Sequence, residues 1–300
     1  MSNIGFLFPG QGAQEVGMGK DVCAELPAAK ELFDRANEIV GYDLADVCFN
    51  GPEEKLASTE HAQPALFVTS MASLEKLKST EPDTVSSATM TAGLSLGEYS
   101  ALCFAGVMSF EDALRVVQVR GQAMQAAADA NPSGMVAILG VDLDKLTPLV
   151  DEARDDEVLE IANLLCPGNI VCSGNNEACE RLGKLATDAG AMKVIPLSVA
   201  GAFHTSLMQS AVERLTQVLQ EVTFTPPRIP VVSNVDAQPH SDPAEIKELL
   251  AKQVVSPVRW EESVRTMLAT GVEACYEIGS GKVLRGLMRR IERKFPVTNV

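Results

Sequence analysis

The sequence predicts an α/β protein, a large domain interrupted by a small one with ferredoxin-like strand order. Three observations predict it. Strand-like and helical stretches alternate from end to end of the 300 residues, the pattern of α/β folds. Residues 134–197 read β-α-β-β-α-β, which is the ferredoxin-like order. Between an apolar run at 88–93 and a helical run at 96–105 stands Gly93-Leu94-Ser95-Leu96-Gly97, a G-x-S-x-G turn of the kind that joins a strand to a helix. The expected division is 1–130 with 199–300 as the large α/β domain and 131–198 as the insert.

The elements follow in order. "NIGFLF" at 3–8 is an apolar run ending in Pro9-Gly10, a buried strand entering a turn. Helical periodicity marks 28–40 and 64–78. "ATMTAG" at 88–93 is a short buried strand, and 96–105 is the helix after it. A long helix starts beyond Ser109, whose side chain is placed to cap it, with Asp112 as the capping-box acid. In the insert, strands are expected at 134–141, 158–164, 169–174 and 191–197, and helices at 142–154 and 175–189. The chain then gives helices at 205–221, 242–254, 260–269 and 282–294, with strands at 230–233 and 273–278.

Composition excludes several functions. No apolar run approaches the ~18 residues of a membrane span, and the first residues lack the basic start and long apolar core of a signal peptide. A net charge of −15 argues against nucleic acid or an anionic membrane as the main partner. Seven scattered cysteines without a C-x-x-C pair read as free thiols of a reducing compartment, not as a zinc or redox motif.

Four features carry chemistry. In a strand–turn–helix setting, G-x-S-x-G strains the serine backbone and aims the helix N-terminus at developing negative charge. The pattern alone is weak, since chance gives it about once in ten chains of this length. Ser95 is therefore either a nucleophile or a serine that happens to stand there. A nucleophilic serine needs a base, and the chain holds three histidines. His240 in "DAQPHSDP" reads as solvated and His61 as a surface residue. His204 in "VAGAFHTSLM" stands at the mouth of a helix, which keeps imidazole neutral; it is a base or a helix cap. Arg120 lies in an apolar helical stripe with Ala113, Val117, Met124 and Ala127. A guanidinium there needs an anion, either a protein carboxylate or a substrate carboxylate held bidentately. Finally, "FPGQGAQ" at 8–14 matches neither G-x-G-x-x-G nor a P-loop. As a glycine-rich turn after a strand it offers backbone N–H groups to an oxyanion.

In order along the chain, "FPGQG", "QPAL", "SLGEYSAL", "VRGQAMQ", "GMVAILG", "AFHTSLM", "SPVRW" and "EIGSGKVLRGL" resemble the malonyl-CoA:acyl-carrier-protein transacylase family over nearly the whole chain. The resemblance implies a hydrolase-like α/β domain with the ferredoxin-like insert. It implies Ser95 as the nucleophile that takes malonyl from CoA and His204 as its base. Arg120 would bind the malonyl carboxylate, and the N–H groups of Gln11 and Leu96 would form the oxyanion hole. Gln253 would orient the histidine through a carbonyl, and Asn163 would stand near the substrate. The acceptor would be the phosphopantetheine thiol of acyl carrier protein, with no cofactor and no metal, in ping-pong fashion. Two positions depart from the family pattern: Leu94 and Leu165 stand where most or many members have histidine and asparagine. Neither belongs to the proton-transfer pair, and both read as marks of a subgroup.

Phe203 beside His204 resembles the malonyl-selecting pattern of related acyltransferase domains, and its ring would crowd a methyl branch. One methyl group discriminates by only ~1–3 kcal/mol. An acidic carrier protein and an acidic enzyme need a local basic patch, and Arg285, Arg289, Arg290, Arg293 and Lys294 form the densest one. That run is either a docking face or a solvated helix face. The resemblance implies a monomer supplying fatty acid synthesis. With no transit segment before the first strand, a bacterial cytoplasmic enzyme is expected, and the mature form of a plastid stromal enzyme is the second choice.

Overall fold

The computed structural model describes residues 3–300. Strand β1 (Ile4–Phe8) is followed by six helices: α1 (Lys20–Glu25), α2 (Pro27–Val40), α3 (Leu44–Asn50), α4 (Glu53–Ala57), α5 (Thr59–Thr80) and α6 (Pro82–Ser86). Only α2 and α5 were expected. The other four have five to seven residues each, too few turns for a 3.6-residue period to register. Helix α5 begins at Thr59, five residues ahead of Pro64, which reads from sequence as a first-turn proline but lies inside the helix. The early start is held from α8 (Phe110–Ala130), whose Gln125 accepts from the Thr59 N–H at 3.1 Å.

Strand β2 (Ala88–Gly93) runs parallel to β1, from Ile4 opposite Ala88 to Phe8 opposite Gly93. Helix α7 (Gly97–Phe104) follows it, and Phe104 stacks on Phe6 with ring centroids 4.9 Å apart. Ser109 caps α8 by accepting from the Asp112 N–H at 3.1 Å, while the Asp112 carboxylate pairs with Arg115. One half of the expected capping box is formed.

The insert has the expected order: β3 (Ser133–Leu139), α9 (Leu143–Arg154), β4 (Leu159–Cys166), β5 (Asn169–Asn175), α10 (Asn176–Asp188) and β6 (Lys193–Pro196). The four strands form one antiparallel sheet in the order β4-β5-β3-β6. Its helices close over a separate core of Ile138, Leu146, Val150, Leu159, Cys172 and Leu182.

The chain returns through a 3₁₀ turn at Ser206–Met208 into α11 (Gln209–Glu221), β7 (Val231–Val232), β8 (Pro239–His240), α12 (Pro243–Gln253), α13 (Trp260–Ala269), β9 (Ala274–Glu277), α14 (Val283–Ile291) and β10 (Val297–Asn299). The large sheet has six strands in the order β10-β9-β1-β2-β7-β8, all parallel except β8. The edge strands β8 and β10, two and three residues long, were not expected; so short a strand has no alternation to read. Helix α14 stops at Ile291 rather than 294, because Glu292 turns extended. Strand β4 meets the segment between α12 and α13, where Leu164 N–H donates to Val258 O at 2.9 Å and Val258 N–H to Ala162 O at 2.8 Å. No helix of the described residues is long and apolar enough to cross a membrane.

Candidate active site

The turn between β2 and α7 is as tight as its glycines allow. A Cβ on Gly93 would lie 1.9 Å from the Gly97 carbonyl carbon, and one on Gly97 would lie 2.0 Å from Phe8 O. Ser95 between them has φ 49°, a left-handed conformation that costs a non-glycine residue about 1–2 kcal/mol. Asn234, in the loop after β7, clamps it. Its carboxamide oxygen accepts from the Ser95 N–H at 2.6 Å, and its nitrogen donates to Gly93 O at 2.8 Å. The strained serine is thus over-determined by its surroundings, the condition under which such conformations persist.

His204 also has a positive φ, 63°, in the loop that leads to the 3₁₀ turn. Its Nδ1 lies 2.9 Å from Gln253 O. A carbonyl only accepts, so Nδ1 carries the proton and Nε2 presents a lone pair. Nε2 lies 2.9 Å from Ser95 Oγ, and the hydroxyl donates to it. Burial, then the nearby Arg120 charge, push the His204 pKa down to about 4. Imidazole was expected to be kept neutral by a helix N-terminus. It is kept neutral chiefly by burial, and α11 begins only at Gln209, beyond the 3₁₀ turn.

Arg120 is 1% exposed in the middle of α8. Its Nη1 donates to Gln63 Oε1 at 2.6 Å, and its Nη2 donates to Gln253 Oε1 and Ser95 Oγ, both at 3.0 Å. The guanidinium lies 5.3 Å from the Tyr99 ring centroid. All three hydrogen-bond partners are neutral. Among the described residues the ion-paired arginines are others, and no carboxylate is in contact with Arg120. Of the two anions foreseen for this side chain, a protein carboxylate is not in contact with it. Burial pulls its pKa below the ordinary value, and Tyr99 and Glu98 oppose the shift.

These side chains open on a cavity of about 330 Å³ between the two sheets. Gln11, Ser95, Leu96, Arg120, Asn163 and His204 all line it, so the structure brings six of the seven expected site residues to one space. The seventh, Gln253, lies buried behind it and reaches the site through hydrogen bonds. The N–H groups of Gln11 and Leu96 have no hydrogen-bond partner among the described residues. Phe203, Leu94 and Leu165 line the same space, and the insert adds Met135 and Val171.

Four further residues complete the network and were not foreseen as site residues: Gln63, Glu98, Tyr99 and Asn234. Glu98 carried a signal, a carboxylate in a helix that is otherwise almost wholly apolar and buried, the same kind of anomaly that marks Arg120. Asn234 carried none. Of the other histidines, His61 bonds to Ser58 Oγ at 2.8 Å, away from the cavity. His240 is not solvated as expected. It is 12% exposed on β8, 2.8 Å from Asp236 and 3.0 Å from Glu245. Burial acts to lower its pKa, but those two carboxylates outweigh it and the net shift is upward. Arg285, Arg289 and Arg290 are exposed on α14 and do not line the cavity.

Comparison with known proteins fits this geometry. A family model described as an acyl transferase domain matches residues 5–293. The malonyl CoA-acyl carrier protein transacylase of Bacillus subtilis (strain 168) is 46% identical over 297 residues, 98% of this chain and 92% of that protein. The enzyme of the same name from Escherichia coli (strain K12) is 41% identical over 291 residues, 97% of this chain and 93% of its own. Among solved structures, the malonyl CoA-acyl carrier protein transacylase from Coxiella burnetii superposes with a TM-score of 0.95 at 33% identity, covering 99% of this chain and 93% of that one. A malonyl-transacylase solved in complex with its type II PKS acyl-carrier protein superposes with a TM-score of 0.94 at 37% identity, covering 100% and 96%. A glycine-pinched serine, a neutral histidine and a buried arginine without a carboxylate thus stand in a chain that belongs to the acyl transferase domain family and, within it, to the malonyl CoA-acyl carrier protein transacylases.

Proposed function

We propose that this enzyme moves a malonyl group from malonyl-CoA to the phosphopantetheine thiol of acyl carrier protein, through a malonyl ester on Ser95, and so supplies fatty acid synthesis. The observation that carries the reading is Arg120, a buried guanidinium with neutral partners only, 3.0 Å from the serine hydroxyl. A site for acetyl would leave that charge without an anion, at a cost of several kcal/mol. A half-ester of a dicarboxylic acid supplies the anion in the place where the chemistry occurs.

In this reading His204 Nε2 takes the hydroxyl proton as Ser95 Oγ attacks the thioester carbonyl. The N–H groups of Gln11 and Leu96 receive the oxyanion. The carbon–sulfur bond then breaks, and the imidazolium returns the proton to the leaving CoA sulfur. The carrier thiol repeats the sequence in the opposite sense, giving up its proton to His204 and releasing Ser95. Gln253 O holds the Nδ1 proton in place of a triad acid, and Asn163 faces the bound acyl chain. Phe203 narrows the space beside the acyl carbon and favours malonyl over its methyl-branched relative. Every catalytic group in the scheme belongs to this chain, and the scheme calls on no cofactor or metal.

The catalytic unit in this reading is 1–130 with 199–300, and 131–198 is the inserted wall. What supports it is that α8 ends at Ala130 and that β3 to β6 pair with one another. We place carrier docking on the α14 face of Arg285, Arg289 and Arg290, supported by its exposure. A monomer in the cytoplasm, or as a mature form in the plastid stroma, suits seven free cysteines.

The test is the intact mass of the protein after mixing with malonyl-CoA alone. The native protein should gain one malonyl group, Ser95→Ala none, and Arg120→Leu should lose its preference for malonyl-CoA over acetyl-CoA. Steady CoA release with no gain of mass would make it a hydrolase. Neither gain nor release would make it a non-catalytic binding protein.

A further inference from the structure

Glu98 is the second residue of α7, 3% exposed, and touches neither the cavity nor bulk water. A lone buried carboxylate is costly unless it is hydrogen-bonded or paired. Here Oε2 accepts two N–H donors, Asn234 N at 3.1 Å and Gln253 Nε2 at 2.7 Å. The first turn of a helix adds a favourable dipole.

The two donors lead to every reacting group. Asn234 is the residue whose carboxamide clamps the Ser95 N–H and Gly93 O. Gln253 is the residue whose main-chain carbonyl holds His204 Nδ1. The Gln253 side chain also donates to Ser95 O at 3.1 Å, and its oxygen accepts from Arg120. Its amide therefore lies between a carboxylate and a guanidinium. A flip would set its oxygen against Glu98 and its N–H₂ against Arg120, so the two charges fix its orientation.

We propose that Glu98 is a positioning residue of this site: its buried carboxylate locks, through Asn234 and Gln253, the nucleophile's backbone, the carbonyl that orients the base and the amide that steers Arg120. Glu98 and Arg120 do not touch; they bond to opposite ends of the Gln253 amide. Burial raises the Glu98 pKa to about 7, against the hydrogen bonds from Asn234 and Gln253 and the charge of Arg120, a value that perturbed groups at functional sites often reach. The proposal rests on the acyl-transfer reading in taking Ser95 as the nucleophile, but it does not depend on which acyl group is carried.

The experiment compares native protein with Glu98→Gln in two assays, each beside a thermal melt. The first is the rate at which phenylmethanesulfonyl fluoride modifies Ser95, followed by intact mass. The second is kcat and KM with malonyl-CoA and carrier protein. A misplaced nucleophile–base pair should slow sulfonylation by about tenfold or more and lower kcat, with KM for malonyl-CoA moving less than kcat. A folded Glu98→Gln with a smaller effect on sulfonylation, or with a loss confined to KM, overturns the proposal. Should Glu98→Gln not fold, Gln253→Met takes its place and is read by the same criterion. That variant keeps the carbonyl to His204 and removes the amide that Glu98 holds. Failure of both variants to fold also overturns the proposal, since the network would then serve the fold alone. Native protein that is sulfonylated at Ser95 but takes no malonyl group refutes the acyl assignment and leaves the Glu98 result standing.

Discussion

His204 and Glu98 lie on either side of Gln253, and burial perturbs them with opposite consequences for stability. His204 falls to about 4 from 6.5, so as pH drops the unfolded chain takes the proton first. Its contribution is complete above about 6.5 and is lost as pH falls to about 4. Glu98 rises to about 7 from 4.5, so the folded chain holds its proton longer. Its contribution is complete below about 4.5 and is lost as pH rises to about 7. Each gap corresponds to about 3 kcal/mol, and the windows overlap with opposite signs. Urea unfolding across a pH series should separate them. Relative to native protein, Glu98→Gln should gain stability as pH rises from about 4.5 to 6.5, and His204→Gln should lose it over the same interval. Parallel profiles for the two variants would refute these assignments. Ser95, His204 and Arg120 were legible in the sequence because each breaks a local pattern: a serine between glycines, a scarce histidine, a cation in an apolar stripe. Asn234 was not, because its role depends on a loop 139 residues away in sequence from the serine it clamps.

At the scale of elements, the contact of α5 with α8 sets the anion site. At Gly121 the two helices leave no room for a side chain. A Cβ there would lie 2.9 Å from Thr59 O and 3.2 Å from Glu60 Cα, both main-chain atoms that cannot swing aside. That approach brings Gln63 to Arg120. Gly121→Ala should therefore destabilise the protein by about 1–3 kcal/mol and raise KM for malonyl-CoA, as Arg120 loses its register with Gln63. Thermal melts and steady-state kinetics on the same sample would check both. A stable variant with native KM would show that α5 can retreat without disturbing the site. The same contact explains the element most displaced from expectation. Proline at position 64 suggests a helix start, yet packing and the Gln125 cap extend α5 back to Thr59. The β-α-β-β-α-β order of the insert was legible because each unit there is long enough to show its period. The short helices α1, α3 and α4, which lie between β1 and α5, and α6, which follows α5, are too short to show one.

For the molecule as a whole, charge decides how partners approach. A net charge of −15 repels an acidic carrier at long range, so a local basic face governs encounter. If α14 is that face, Arg289→Glu with Arg290→Glu should raise KM for carrier protein, leave KM for malonyl-CoA unchanged, and weaken the salt dependence of transfer. An unchanged carrier KM would move docking elsewhere. The division into two sheets could be foreseen, but the seam at Val258 and the shape of the cavity could not, since contacts between distant segments leave no local period. That cavity has one Ser95–His204 pair and about 330 Å³ of room. Donor and acceptor must therefore take turns in a single berth. Donor and product are thioesters of the same kind of pantetheine thiol, so transfer from one to the other has little downhill direction of its own. The site then works as a turnstile between two pools, and traffic through it follows whichever pool is being emptied. Free CoA should compete with carrier protein for the acylated enzyme, and the apparent KM for carrier should climb as malonyl-CoA is raised.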